Sequence, residues 1–89
     1  MEKYLKSIVF IFNILTTLNI PCTINPLFDG WQLRFPWCAG DVAAHSGTYG
    51  QAQGKVESYE FPWDNGDVTA LSPEEAAIRI IELYDEEMM

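Results

Sequence analysis

Residues 23–37 read TINPLFDGWQLRFPW, two strand-like runs, Thr23–Phe28 and Trp31–Trp37, on either side of Asp29-Gly30. Asp-Gly between such runs is a strong short-range hairpin signal, because a type I′ turn needs positive φ at both central residues. Pro26 has no N–H to give a neighbouring strand, so the first run is expected at a sheet edge.

Upstream, Tyr4, Leu5, Ile8, Ile11, Phe12, Leu15 and Leu18 recur at helical spacing, with Lys6, Asn13, Thr16 and Thr17 on the opposite side. Pro21 is expected to end this helix at or just before Ile20. Val9, Phe10 and Ile14 widen the apolar sector beyond what one small sheet needs. That excess fits either a deeply buried helix or a homodimer seam along Tyr4–Leu18. The charged start and apolar run also resemble a secretory leader. Asn19-Ile20-Pro21-Cys22 stands where small residues would mark cleavage, and Asn13, Thr16, Thr17 and Asn19 interrupt any membrane span. The expectation is therefore a helix of the folded domain.

Downstream, Asp41–His45 follows the turn Cys38-Ala39-Gly40 as a third extended segment. Residues 46–54 (SGTYGQAQG) read as a mobile Gly-rich loop. Lys55–Trp63 reads as a further strand, with Val56 and Ser58 on one face and Glu57 and Tyr59 on the other. Ser72-Pro73-Glu74-Glu75 is a helix start, with an N-cap serine, proline at the first position and a capping-box glutamate. Ala77, Ile80, Ile81 and Tyr84 form its apolar stripe. Asp85, Glu86 and Glu87 oppose the helix dipole at the far end, where fraying is expected. The expectation is one α+β domain over residues 1–89. It has an N-terminal helix, a three- to four-stranded mostly antiparallel sheet, and a C-terminal helix on one sheet face.

Residues 35–46 (FPWCAGDVAAHS) and 61–72 (FPWDNGDVTALS) match at F, P, W, G, D, V, A and S. Repeated turn chemistry accounts for this, with proline ending a strand and glycine supplying a φ other residues avoid. In a functional reading, Trp37 and Trp63 flank one pocket.

The formal charge is −8, and it is uneven: residues 1–56 sum to +1, while residues 57–89 set ten carboxylates against Arg79 alone. A polyanion repels nucleic acid and attracts basic protein surfaces. Hydrophobic residues at 48% and charged at 20% describe a globular chain, not a disordered one.

Catalysis finds no support in the residue pattern. His45 is the single histidine, and Cys22 and Cys38 lack CxxC spacing, leaving no zinc, redox or nucleophile signature. The cysteines are either free thiols or one disulfide. Asp64-Asn65-Gly66-Asp67 falls short of a calcium loop. No phosphate-binding glycine motif is present and no cofactor is expected.

Two binding readings follow. In one, Glu57, Glu60, Asp64, Asp67, Glu74 and Glu75 form an acidic ridge for a basic, nucleic-acid-binding protein surface. In the other, Trp37, His45, Tyr49 and Trp63 frame an aromatic pocket for a small molecule or nucleotide. In size, charge and element order the chain resembles the small acidic proteins of bacteriophages and mobile elements, anti-CRISPR inhibitors among them. That resemblance implies a cytoplasmic inhibitor that mimics nucleic acid. It rests on no diagnostic motif.

Overall fold

The computed structural model describes residues 2–89. Helix α1 (Glu2–Thr17) precedes strands β1 (Thr23–Leu27), β2 (Gly30–Arg34), β3 (Asp41–Ala44), β4 (Val56–Tyr59) and β5 (Val68–Leu71), and helix α2 (Pro73–Glu87) follows them. The strands form one antiparallel meander in the order β1-β2-β3-β4-β5. The architecture is the expected α+β one, with a fifth strand beyond the expected three or four. Val68–Leu71 is short and follows directly on a turn, so only its pairing with β4 (Tyr59↔Val68 to Val56↔Leu71) makes it a strand. Pro26 lies in β1, at the sheet edge, opposite Trp31.

Cross-strand register sorts the two faces. Ile24, Leu33, Val42, Ser58 and Thr69 line up across one face, and Thr23, Arg34, Asp41, Tyr59 and Val68 across the other. Leu33, Val42, Val56 and Ser58 are fully buried beneath both helices. α1 packs on β1–β3, α2 on β4 and β5, and the helices on each other. Tyr4, Ile8, Ile11 and Leu15 from α1 and Ala76, Ala77, Ile80 and Leu83 from α2 complete the core. Each fully buried Ile or Leu contributes roughly 1.5–3 kcal/mol. Among the described residues neither α1 nor α2 packs on the second sheet face.

α1 stops earlier than Pro21 requires. Asn19 adopts φ 60°, and Ile20 N–H donates to Leu15 O at 2.9 Å while Asn19 N–H donates to Thr16 O at 3.0 Å. This is a Schellman closure, with Ile20, the residue after the left-handed Asn19, buried as its apolar clasp. Leu18, expected on the core stripe, is 51% exposed because the helix has already ended.

The first hairpin turns one residue sooner than Asp29-Gly30 suggests. Leu27 pairs with Gly30, leaving Phe28 and Asp29 as the loop, and the positive φ falls on Phe28, at 54°. Gly30 serves close approach instead: a Cβ there would lie 1.9 Å from the Ala44 carbonyl oxygen of β3.

The Gly-rich segment is held rather than open. Thr48 is buried and exchanges hydrogen bonds with the His45 backbone. Tyr49 N–H donates to the Glu57 carboxylate at 2.9 Å, and Ser7 Oγ–H donates to Gly54 O at 3.2 Å. At α2, Ser72 Oγ accepts from Glu75 N–H at 3.1 Å as an N-cap. The Glu75 carboxylate does not close the capping box. It bonds Arg79 Nε at 2.8 Å, one turn onward. α2 continues through Glu87 despite its like charges, with Met88 N–H on Tyr84 O and Tyr84 edge-on to the Trp37 ring at 5.0 Å.

Candidate functional site

The two FPW segments meet because β2–β3 and β4–β5 turn at the same end of the meander. Phe35 and Phe61 are edge-to-face at 5.8 Å, Trp37 lies edge-on to Phe35 at 5.5 Å, and Trp63 stacks on Phe61 at 4.5 Å. Gly40 admits this contact, since a Cβ there would meet the Phe61 ring at 2.6 Å. Gly66 does what its motif suggests, at φ +82°. The copies are not structural duplicates. Asp41 lies within β3, whereas Asp67 precedes β5. That shift of one residue turns Val42 toward the helices and Val68 toward the opposite face.

Each FPW tryptophan has a packing partner and a hydrogen bond. Trp37 Nε1–H donates to Pro21 O at 2.9 Å, tying the β2–β3 loop to the chain after α1. Trp63 Nε1–H donates to Ser58 Oγ at 3.0 Å, Ser58 donates onward to Asp64 Oδ1 at 2.8 Å, and Asp64 Oδ2 accepts from Phe61 N–H at 3.0 Å. Asp64 is only 4% exposed. It caps its own turn and is withdrawn from the acidic surface on which it was expected.

The other expected ridge residues separate. Glu57 projects from the open sheet face and is taken up by the Tyr49 N–H. Glu60 is exposed after β4 at φ 64°, and Asp67 is exposed with its carboxylate on Val68 N–H. Glu74 and Glu75 are exposed on the first turn of α2. A ridge spanning β4, its turn and the start of α2 is therefore broken by strand alternation and by burial of Asp64. The acidic residues concentrate along α2 instead, where Glu74, Glu75, Glu82, Asp85, Glu86 and Glu87 share the helix with one cation, Arg79.

A groove of about 390 Å³ separates this helix from the second FPW turn, lined by Pro62, Trp63, Arg79, Glu82, Leu83 and Glu86. The Arg79 guanidinium carbon lies 5.6 Å from the Trp63 ring centroid. Glu75, Arg79, Glu82 and Glu86 share one helical stripe. Sequence reading named Glu75 and Trp63 but missed Glu82 and Glu86, although their spacing from Glu75 was visible along the helix.

The aromatic pocket does not form. Trp37 lies at one end of β3, beyond Asp41, and His45 at the other, beyond Ala44. His45 packs edge-on against Phe28 at 5.1 Å, and its Nδ1 accepts from Gly47 N–H at 3.0 Å. Tyr49 is 68% exposed. A four-residue strand, at ~3.3 Å per residue, keeps the two groups more than ten ångströms apart.

The open sheet face carries a second depression, about 560 Å³, lined by Thr23, Asn25, Gln32, Arg34, Phe35 and Pro36. Beside it Gln32 Nε2–H donates to Asp41 Oδ2 at 3.2 Å. Burial raises the Asp41 carboxyl above its ordinary value, opposed by the Gln32 hydrogen bond and Arg34 and reinforced by Glu60 and Glu57. The Ser46 N–H lowers Asp29. Cys22 and Cys38 are free, and burial raises both thiols, which makes them poorer nucleophiles. Among the described residues no three His, Cys, Asp or Glu side chains gather as a metal site, and no helix is long and apolar enough to cross a membrane.

No family model, no curated protein and no solved structure matches this chain.

Proposed function

We propose that this protein is a non-catalytic binding protein whose acidic second half docks on a basic protein surface of the kind that grips nucleic acid, acting as a phage-type inhibitor in the cytoplasm. The observation that carries this reading is the charge arrangement of α2. Six carboxylates share the helix with one arginine, and its last turn holds acidic residues and no basic one. Negative charge at a helix C-terminus is unfavourable by roughly 0.3–1 kcal/mol per residue at low salt. A basic partner relieves that repulsion on docking, so the arrangement that burdens the free protein favours the complex.

The test is capture from nuclease-treated bacterial lysate at low and high salt, followed by a DNA- or RNA-binding assay on the captured protein. The expected result is a nucleic-acid-binding protein that is held at low salt, released at high salt and blocked from its nucleic acid by a stoichiometric amount of this chain. Capture of proteins whose nucleic-acid binding is unaffected, or no capture at all, overturns the reading.

A further inference from the structure

The outer surface of the two helices keeps apolar side chains that the core does not use. α1 and α2 pack side by side on one sheet face and run in the same direction. At one end Pro73 and Glu74, which open α2, share a depression with Lys6, Ser7 and Phe10 of α1. At the other end Trp37 joins the Pro21 carbonyl, after α1, to Tyr84 near the close of α2. On this layer Phe10 is 41% exposed and Ile78 is 53% exposed. Ile14 and Ile81, one turn further along each helix, are half-buried. The wide apolar sector of α1 is thus only partly spent on its own fold.

The charges on the same layer divide by end. Lys3 and Lys6 lie on the first half of α1, Glu82 and Asp85 on the second half of α2, and all four are exposed. Among the described residues none of the four makes an ion pair. Glu75, at the cationic end, is already matched by Arg79, and Glu74 by the positive end of the helix dipole. Because the helices run the same way, free cations stand at one end and free acids at the other, with Phe10 and Ile78 between them. Such an order of charges is complementary to itself when reversed.

We propose that the helical layer is the contact of an antiparallel homodimer. A second copy, related by a two-fold axis near Phe10 and Ile78, brings its Glu82 and Asp85 to Lys3 and Lys6 and receives the same in return. The depression of about 300 Å³ beside Phe10 accepts the other copy's Phe10, since a knob and a hole beside the axis serve each other. A parallel arrangement would set cation on cation and acid on acid, so charge fixes the orientation. A two-helix face is small, and chains of formal charge −8 repel at long range. The dimer is therefore weak, with a dissociation constant of roughly 10–100 μM. This inference stands apart from the docking role of the acidic half, which its failure leaves untouched.

Sedimentation velocity of the full chain from ~1 μM to ~1 mM tests it, and a monomer–dimer equilibrium in that range is expected. Phe10→Gln with Ile78→Gln, which leaves the charge unchanged, should weaken the dimer about a hundredfold. Lys3→Glu with Lys6→Glu, or Glu82→Lys with Asp85→Lys, should each weaken it about tenfold. An equimolar mixture of those two charge variants should pair at about the parent affinity, because each supplies the charges the other lacks. Thermal unfolding checks that every variant is folded, and the charge variants alter only exposed residues. A chain that stays monomeric throughout overturns the proposal. So does a dimer indifferent to the Phe10 and Ile78 changes, or a mixture no tighter than its components. Species that grow beyond the dimer with concentration would mark head-to-tail contacts and overturn the two-fold arrangement as well.

Discussion

Replacing Asp64 with alanine removes the acceptor for two buried donors, the Ser58 hydroxyl at 2.8 Å and the Phe61 N–H at 3.0 Å. Ser58 is 0% exposed and Phe61 3% exposed, so water cannot reach either group in the folded protein. A buried donor left without a partner costs roughly 1–3 kcal/mol. The two together amount to about 2–6 kcal/mol, a large part of the ~5–15 kcal/mol that holds a domain of ordinary stability folded. Asp64→Asn retains one acceptor oxygen and is expected to lose about half as much. Urea unfolding followed by tryptophan fluorescence reads this directly. At an m-value of about 1 kcal/mol/M the alanine variant should unfold at a midpoint lower by about 2–6 M, or be unfolded without urea. A loss below about 0.5 kcal/mol would place Asp64 in the solvated class of surface substitutions. It would then refute the Trp63–Ser58–Asp64–Phe61 network as the support of the second FPW turn. The same burial means that reversing Asp64 to lysine tests folding and not partner binding.

The two glycine requirements should separate in thermal unfolding. Gly30→Ala, whose Cβ would sit 1.9 Å from a backbone oxygen, should cost about 3 kcal/mol or more. Gly66→Ala meets open space at φ +82° and should cost about 1 kcal/mol. Asp41→Asn should be more stable than the parent at neutral pH. The raised Asp41 carboxyl disfavours folding when ionised, so its favourable contribution is present at acid pH and lost as pH rises through the folded value. Denaturation midpoints for the two proteins should accordingly converge as pH falls, and a constant gap would argue against that cause. Finally, Glu86→Lys with Glu87→Lys should raise the stability of the free protein by about 0.5–1 kcal/mol through the helix dipole while weakening capture of a basic partner. Loss of stability, or unchanged capture, would contradict the reading of α2.

Features set by a few neighbouring residues were legible in the sequence. Ser72 and Pro73 mark the start of α2, the Tyr4–Leu15 spacing places α1 on the core, and Pro26 places β1 at an edge, because each constraint acts within a turn of helix or a residue of strand. The uneven charge is likewise a property of composition alone. Which residues meet was decided by pairing across the sheet. Gly40 against Phe61 depends on segments distant in sequence and adjacent in space, and Trp63 against Arg79 depends on α2 being laid beside the second FPW turn. A shift of one residue between two nearly identical twelve-residue segments suffices to send Val42 and Val68 to opposite faces. For the same reason Asp64, an acid among acids in the sequence, became a buried cap. Glu82 and Glu86 became the rim of a groove only when the second FPW turn was laid against α2. Local sequence limits what each segment can form, but burial and partnership are settled only when non-local strand pairing closes the sheet.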